Sequence, residues 1–185
     1  MVSQAQSVFV VGLITVGLAA CGGAPRVPPA APLAREPVDL TLPSVDGADI
    51  DVTRWRGKHV AVHFASTSSL DSQADVEELR RTRETAKDLV LVEIVMDEDP
   101  RLAAPWADAS RIDWSVLLPT PEVREGSSTF GAIRVVPTTF LLGRDGRLVW
   151  RWEGALPKDR LKRELPRLPP RSDRSARPGG GTIAS

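Results

Sequence analysis

Two apolar runs of strand length, HVAVHFA at residues 59–65 and LVLVEIV at 89–95, stand on either side of a helical stretch at 71–87. In that stretch Val76, Leu79 and Ala86 fall at helical spacing with charges elsewhere, so one face is apolar and the other solvated. A strand as apolar as the second run needs cover on both faces. Upstream, residues 38–42 alternate with period two, Asp46 and Gly47 make a turn, and residues 49–52 return, which predicts an N-terminal hairpin. Downstream, residues 97–100 form a loop, followed by a short helix at 102–110, a short strand at 114–118 and a helical segment near 123–130. Residues 138–142, a turn at 144–146 and residues 147–152 form a closing hairpin, after which Pro157 opens a terminal helix to Leu165. Strands separated by helices, with a hairpin at each end, predict an α/β/α sandwich around a mixed central sheet.

The folded part spans residues 38–166, and its flanks differ from it in composition. Of 16 prolines, five lie within residues 22–37 and four within 166–178. Neither flank has an apolar period, so residues 21–37 are expected to be an extended linker and 167–185 a disordered Arg/Pro/Gly tail. Lysine plus arginine number 24 and aspartate plus glutamate 24, a formal charge of zero that argues against a general nucleic-acid binder. The sequence has one cysteine, Cys21, which excludes a disulfide scaffold, a cysteine-rich zinc site and an intramolecular redox dithiol.

Residues 8–20 are apolar or small apart from Thr15, a run too short to span a bilayer and of the length of a signal-peptide core. It ends in Leu18, Ala19, Ala20 and Cys21, which resembles a bacterial lipoprotein signal, although residues 1–7 carry no lysine or arginine. The resemblance implies removal of residues 1–20 and lipidation of Cys21, and two or more acyl chains anchor stably where one does not. Gly22 after the cysteine, in place of an aspartate, points to the outer rather than the inner membrane.

Within the folded part, Asp46-Gly47, WRGK at 55–58 and VAVHF at 60–64 are followed by VVPTTFLL at 135–142, Asp145-Gly146 and Gly154. This combination resembles the thioredoxin superfamily, most closely the TlpA/ResA-like periplasmic thiol–disulfide oxidoreductases that adjoin the peroxiredoxins. The resemblance implies a thioredoxin-like fold and a Cys-x-x-Cys after the first central strand. Here both of those positions, Ser69 and Ser72, are serine. The family's chemistry uses a thiolate at a helix N-terminus to attack a disulfide sulfur, and a serine hydroxyl forms no mixed disulfide. The peroxidatic step of a peroxiredoxin fails for the same reason. The resemblance also implies a cis Val136–Pro137 bond, with Val136, Pro137 and Thr138 lining a groove whose backbone pairs with an extended peptide.

For the two serines the simplest role is helix capping, with Ser72 and Asp75 forming a capping box or with Ser69 or Asp71 as the N-cap. A nucleophilic serine served by His63 and Asp71 is the sharper alternative, but no Gly-x-Ser-x-Gly elbow accompanies it. His63 stands where the resemblance places the buried acid of thioredoxins, and is read as a core histidine with proton handling as the alternative. With only His59 and His63 and no free thiolate, no zinc or copper site is expected, and residues 97–99 lack calcium-loop spacing and are taken as a solvated turn. No cofactor is implied. Trp150 and Trp152, on one face of an edge strand, are expected to cover core.

The leading expectation is therefore an envelope-anchored, redox-inactive thioredoxin-like lipoprotein that binds an extended peptide or partner protein. A periplasmic thiol–disulfide oxidoreductase is the enzymatic alternative. A structural or assembly lipoprotein using the fold as scaffold is the third, since fold does not fix function.

Overall fold

The computed structural model describes residues 36–167. The leader, Cys21, most of the linker and residues 168–185 of the tail lie outside the described residues.

Among these described residues, seven strands and four α-helices follow the expected order. Strands β1 (Thr41–Pro43) and β2 (Asp49–Asp51) form the N-terminal hairpin, with Leu42 opposite Ile50. The central strands are β3 (His59–Ala65), β4 (Leu89–Val95), β5 (Ser115–Leu117), β6 (Thr138–Leu142) and β7 (Leu148–Glu153). Their spatial order is β5-β4-β3-β6-β7, with β3, β4 and β5 parallel, β6 antiparallel to β3, and β7 antiparallel to β6. The β1–β2 hairpin abuts the β5 side, where Leu118 donates to the Pro43 carbonyl and Val45 to that of Val116. Helix α1 (Leu70–Thr85) connects β3 to β4, α2 (Ala103–Ala109) connects β4 to β5, α3 (Pro121–Glu125) precedes β6, and α4 (Arg160–Glu164) closes the described chain. This is the mixed-sheet α/β architecture that the alternation of strands and helices predicts.

Strand alternation sorts the core into two layers. Val60, Val62 and Phe64 of β3, with Val92, Ile94, Phe140 and Leu142, pack against Val38, Leu42, Val123 and Phe130. Phe64, Phe130 and Phe140 form an aromatic cluster with ring centroids 5.1–5.5 Å apart. On the opposite face Ala61, Leu89, Leu91 and Leu141 meet Leu79 of α1 and Leu161 of α4, while Ala65 and Val95 meet Val76. Each buried Val, Leu, Ile or Phe side chain here removes enough apolar area from water to contribute roughly 1.5–3 kcal/mol.

Three local expectations are corrected. Helix α3 ends at Glu125, short of the expected 130, because Gly126 turns the chain at φ +77°. A Cβ at Gly126 would lie 2.7 Å from the Ala132 Cα, so the turn also brings two backbones together. Pro157 does not open the last helix: Asp159 takes a left-handed φ of +57°, which a right-handed helix cannot continue through, and α4 begins after it. The Ser72–Asp75 capping box does not form. Ser69 is the N-cap of α1, and Ser72 and Asp75 point inward with other partners.

Candidate functional site

The strand register brings the sequence-selected residues to one end of the sheet. Phe64 pairs with Thr138 and Ala65 with Val95, so the residues after β3 and β4 lie beside those before β6. The β3–α1 loop, Asp97 and the Val136–Pro137 segment therefore share that end.

Helix α1 starts where it does because Ser69 is extended at φ −91° and its Oγ accepts the Ser72 N–H at 3.2 Å. Such a cap satisfies one of the orphan amides at a helix start. Ser72 is fully buried, and its Oγ accepts the Ser66 N–H at 3.2 Å. Both serine oxygens are thus engaged in fixing the backbone. The residues taken as a solvated turn do more than that: Asp97 accepts from Thr67 N and Thr67 Oγ1, each at 2.8 Å, and from Ser66 Oγ at 3.4 Å. Arg124 of α3 donates to the carbonyls of Met96 and Asp97 at 3.1 and 2.8 Å, which fixes the segment after β4 from behind.

Across from this loop the Val136–Pro137 peptide bond is cis. Pro137 accepts the Gly154 N–H at 2.8 Å, and Thr138 Oγ1 donates to the Val135 carbonyl at 2.6 Å. The Val136 backbone makes no hydrogen bond among the described residues. Val136 is 36% exposed, Val135 44% and Leu70, at the start of α1, 79%. An unpaired, accessible peptide unit flanked by exposed apolar side chains has the character of an open strand edge.

His63 lies beneath, wholly buried on the α1 side of the sheet. Its Nδ1 is 2.7 Å from Glu93 Oε1 on β4, and its Nε2 is 3.4 Å from Asp75 Oδ2 on α1, close enough for an ion pair but out of line for a hydrogen bond. Burial by itself would lower the imidazole pKa. The charge of Glu93, the polar contacts with Asp75 and Glu93, and the charge of Asp75 override it and raise the value to about 9. Neither serine is among the partners of His63, and Asp71 is exposed in the first turn of α1, so no Ser–His–Asp arrangement is assembled. Among the described residues no group of His, Cys, Asp and Glu is arranged to hold a metal ion.

The remaining candidates lie elsewhere. His59 is at the other end of β3, with Nε2 3.4 Å from Arg144 Nε. Trp150 and Trp152 stack at 6.0 Å on β7, an edge of the sheet, with the Arg160 guanidinium 5.7 and 5.3 Å from their rings. Both pack against the α1-side core. No described helix is long and apolar enough to cross a membrane.

Sequence reasoning missed Glu93 and Asp97 and gave Asp75 the wrong task. Glu93 had a signal, being the single charge in an otherwise apolar strand, and a buried charge calls for a partner. Asp97 had none, since its partners are 30 residues away.

No family model matches this chain, and no curated protein matches it. Among solved structures, the thioredoxin domain of a thiol-disulfide oxidoreductase from Bacteroides vulgatus superposes with a TM-score of 0.62 at 16% identity, covering 75% of this chain and 98% of that one. A secreted Mycobacterium tuberculosis disulfide oxidoreductase gives 0.60 at 16%, covering 70% and 96%. A thiol-disulfide oxidoreductase from Bacteroides fragilis gives 0.59 at 17%, covering 71% and 98%. The likeness establishes a thioredoxin-like fold for this chain.

Proposed function

We propose that this protein is an envelope-anchored, TlpA-type thioredoxin-like lipoprotein that binds an extended peptide segment and does not exchange disulfides. The single observation that carries the reading is the unpaired, exposed Val136 backbone at the same sheet end as two serines whose oxygens each accept a backbone N–H. An incoming strand satisfies those backbone groups, while Leu70, Val135 and Val136 offer apolar contact to its side chains. Serine oxygen supplies neither the thiolate nor the mixed disulfide that the fold's redox members need.

Lipidation of Cys21 would hold the domain at the membrane, with residues 21–37 as spacer, facing the periplasm from the outer membrane. The enzymatic alternative draws support from the fold, which the thiol-disulfide oxidoreductases named above share. It requires cysteines supplied by a partner.

A photo-crosslinking residue at position 136 of the full chain, expressed in intact cells, tests the reading. A discrete adduct is expected, lost when Leu70→Asp is introduced. Crosslinking indistinguishable from that of a surface position such as 81 would instead favour the scaffold role. In parallel, dithiothreitol-dependent insulin reduction should stay at background, and turnover above it would restore the oxidoreductase alternative.

A further inference from the structure

The segment between β7 and α4 is strapped to the rest of the domain by three backbone amides. Gly154 N–H binds the Pro137 carbonyl at 2.8 Å, Leu156 N–H binds Asp75 Oδ1 at 2.8 Å, and Asp159 N–H binds Glu78 Oε1 at 2.7 Å. Asp75 and Glu78 are one turn apart on α1 and both are almost completely buried. They differ in what lies behind them. The second oxygen of Glu78 is held by Arg81 at 2.9 Å, whereas that of Asp75 faces His63 Nε2 at 3.4 Å.

We propose that His63 and Asp75 form a proton-dependent latch on this strap, closed when the imidazole carries both protons and released when it loses one. The groups facing His63 fix how this works. Glu93 faces it from β4 and Asp75 from α1; its antiparallel neighbour on β6 is the uncharged Thr139, and β7 contributes Trp152 next in the same row. A doubly protonated imidazolium gives Glu93 a hydrogen bond and sets its positive charge and second N–H beside Asp75. A neutral imidazole has one N–H to give. Glu93, at 2.7 Å, has only His63 as partner among the described residues and keeps it. The Nε2 lone pair then confronts the Asp75 carboxylate inside the core, where an uncompensated charge is costly. Asp75 relieves this by turning toward water, and to do so it must let go of Leu156. Asp159 stays tied, because Glu78 has its own cation.

The test is an NMR titration of the full-length chain from pH 6 to 10.5, following the His63 ring nitrogens and the backbone amides of Leu156 and Asp159. The Leu156 amide is expected to change with the same midpoint as the ring. Its exchange with solvent, corrected for the intrinsic pH dependence, should rise at least about tenfold, with Asp159 unmoved over that interval. In Asp75→Asn the carboxamide accepts from Leu156 and donates to neutral Nε2, so the strap should stay closed while His63 still titrates. His63→Gln, which has no proton to lose, provides a second variant in which Leu156 should show no step. A Leu156 amide indifferent to the His63 titration would overturn the latch. So would a step shared by Asp159 and the remaining amides, which marks general unfolding, or one that persists in either variant.

Discussion

His63 and Glu93 are directly paired residues of two parallel strands, and their side chains meet at 2.7 Å on the buried face of the sheet. The pair lies in two strands whose other buried residues are all apolar. With Asp75 above it, it places three ionisable groups where the fold elsewhere has aliphatic core.

The first prediction concerns pH. The pKa of His63 is raised in the folded state to about 9 from an ordinary 6.5, so the folded chain binds more protons than the unfolded one between those values. Stability from this group is complete below the unfolded value and is lost as pH rises through the folded one. Urea unfolding from pH 6 to 10 should therefore show stability falling by an amount on the order of a few kcal/mol. His63→Gln should flatten that dependence, and Glu93→Gln should move its midpoint down. A wild-type profile flat over the range would contradict the assignment.

A second prediction follows from the cap. Ser69→Ala should cost roughly 1 kcal/mol, and Ser69→Asp should retain most of the stability because its carboxylate both caps and meets the positive helix end. Denaturant midpoints of the two variants decide between capping and a role confined to ligand contact.

Restoring sulfur is the third. Ser69→Cys with Ser72→Cys places thiols at the N-cap and N3 positions of α1, where amides and the helix dipole favour a thiolate. The double variant should gain insulin-reducing activity over the wild type. A folded double variant without any gain would mean that the Asp97 contacts and the buried Ser72 have remodelled the site beyond the substitution of two atoms.

The fourth addresses the anchor. Metabolic palmitate labelling should be lost in Cys21→Ser, and label retained in that variant would remove the lipoprotein assignment.

The fifth tests a backbone contact. Gly126→Ala should destabilise by more than ~1 kcal/mol, since the left-handed φ disfavours any side chain and the new methyl would crowd the Ala132 Cα at 2.7 Å. A neutral effect in a thermal melt would mean that the α3–β6 loop yields freely.

What the sequence determined by itself was whatever depends on neighbours along the chain. The apolar run at 59–65 became β3 and that at 89–95 became β4, residue for residue, because a strand that apolar needs cover on both faces whatever its partner. That residues 69 and 72 are serines, with no cysteine among residues 22–185, was likewise plain from the residues alone. Ser69 as a helix cap was within reach for the same reason, since capping spans three residues. What only the tertiary structure decided was the identity of distant partners. Asp75 resembled a capping residue by spacing, yet the sheet beneath α1 and the strap above it claim its two oxygens for His63 and Leu156. Asp97 looked like part of a polar turn until the parallel pairing of β3 and β4 carried it to Thr67. Hydrogen bonds and ion pairs depend on distance and direction in space, and along a chain of these lengths only the packed sheet sets them.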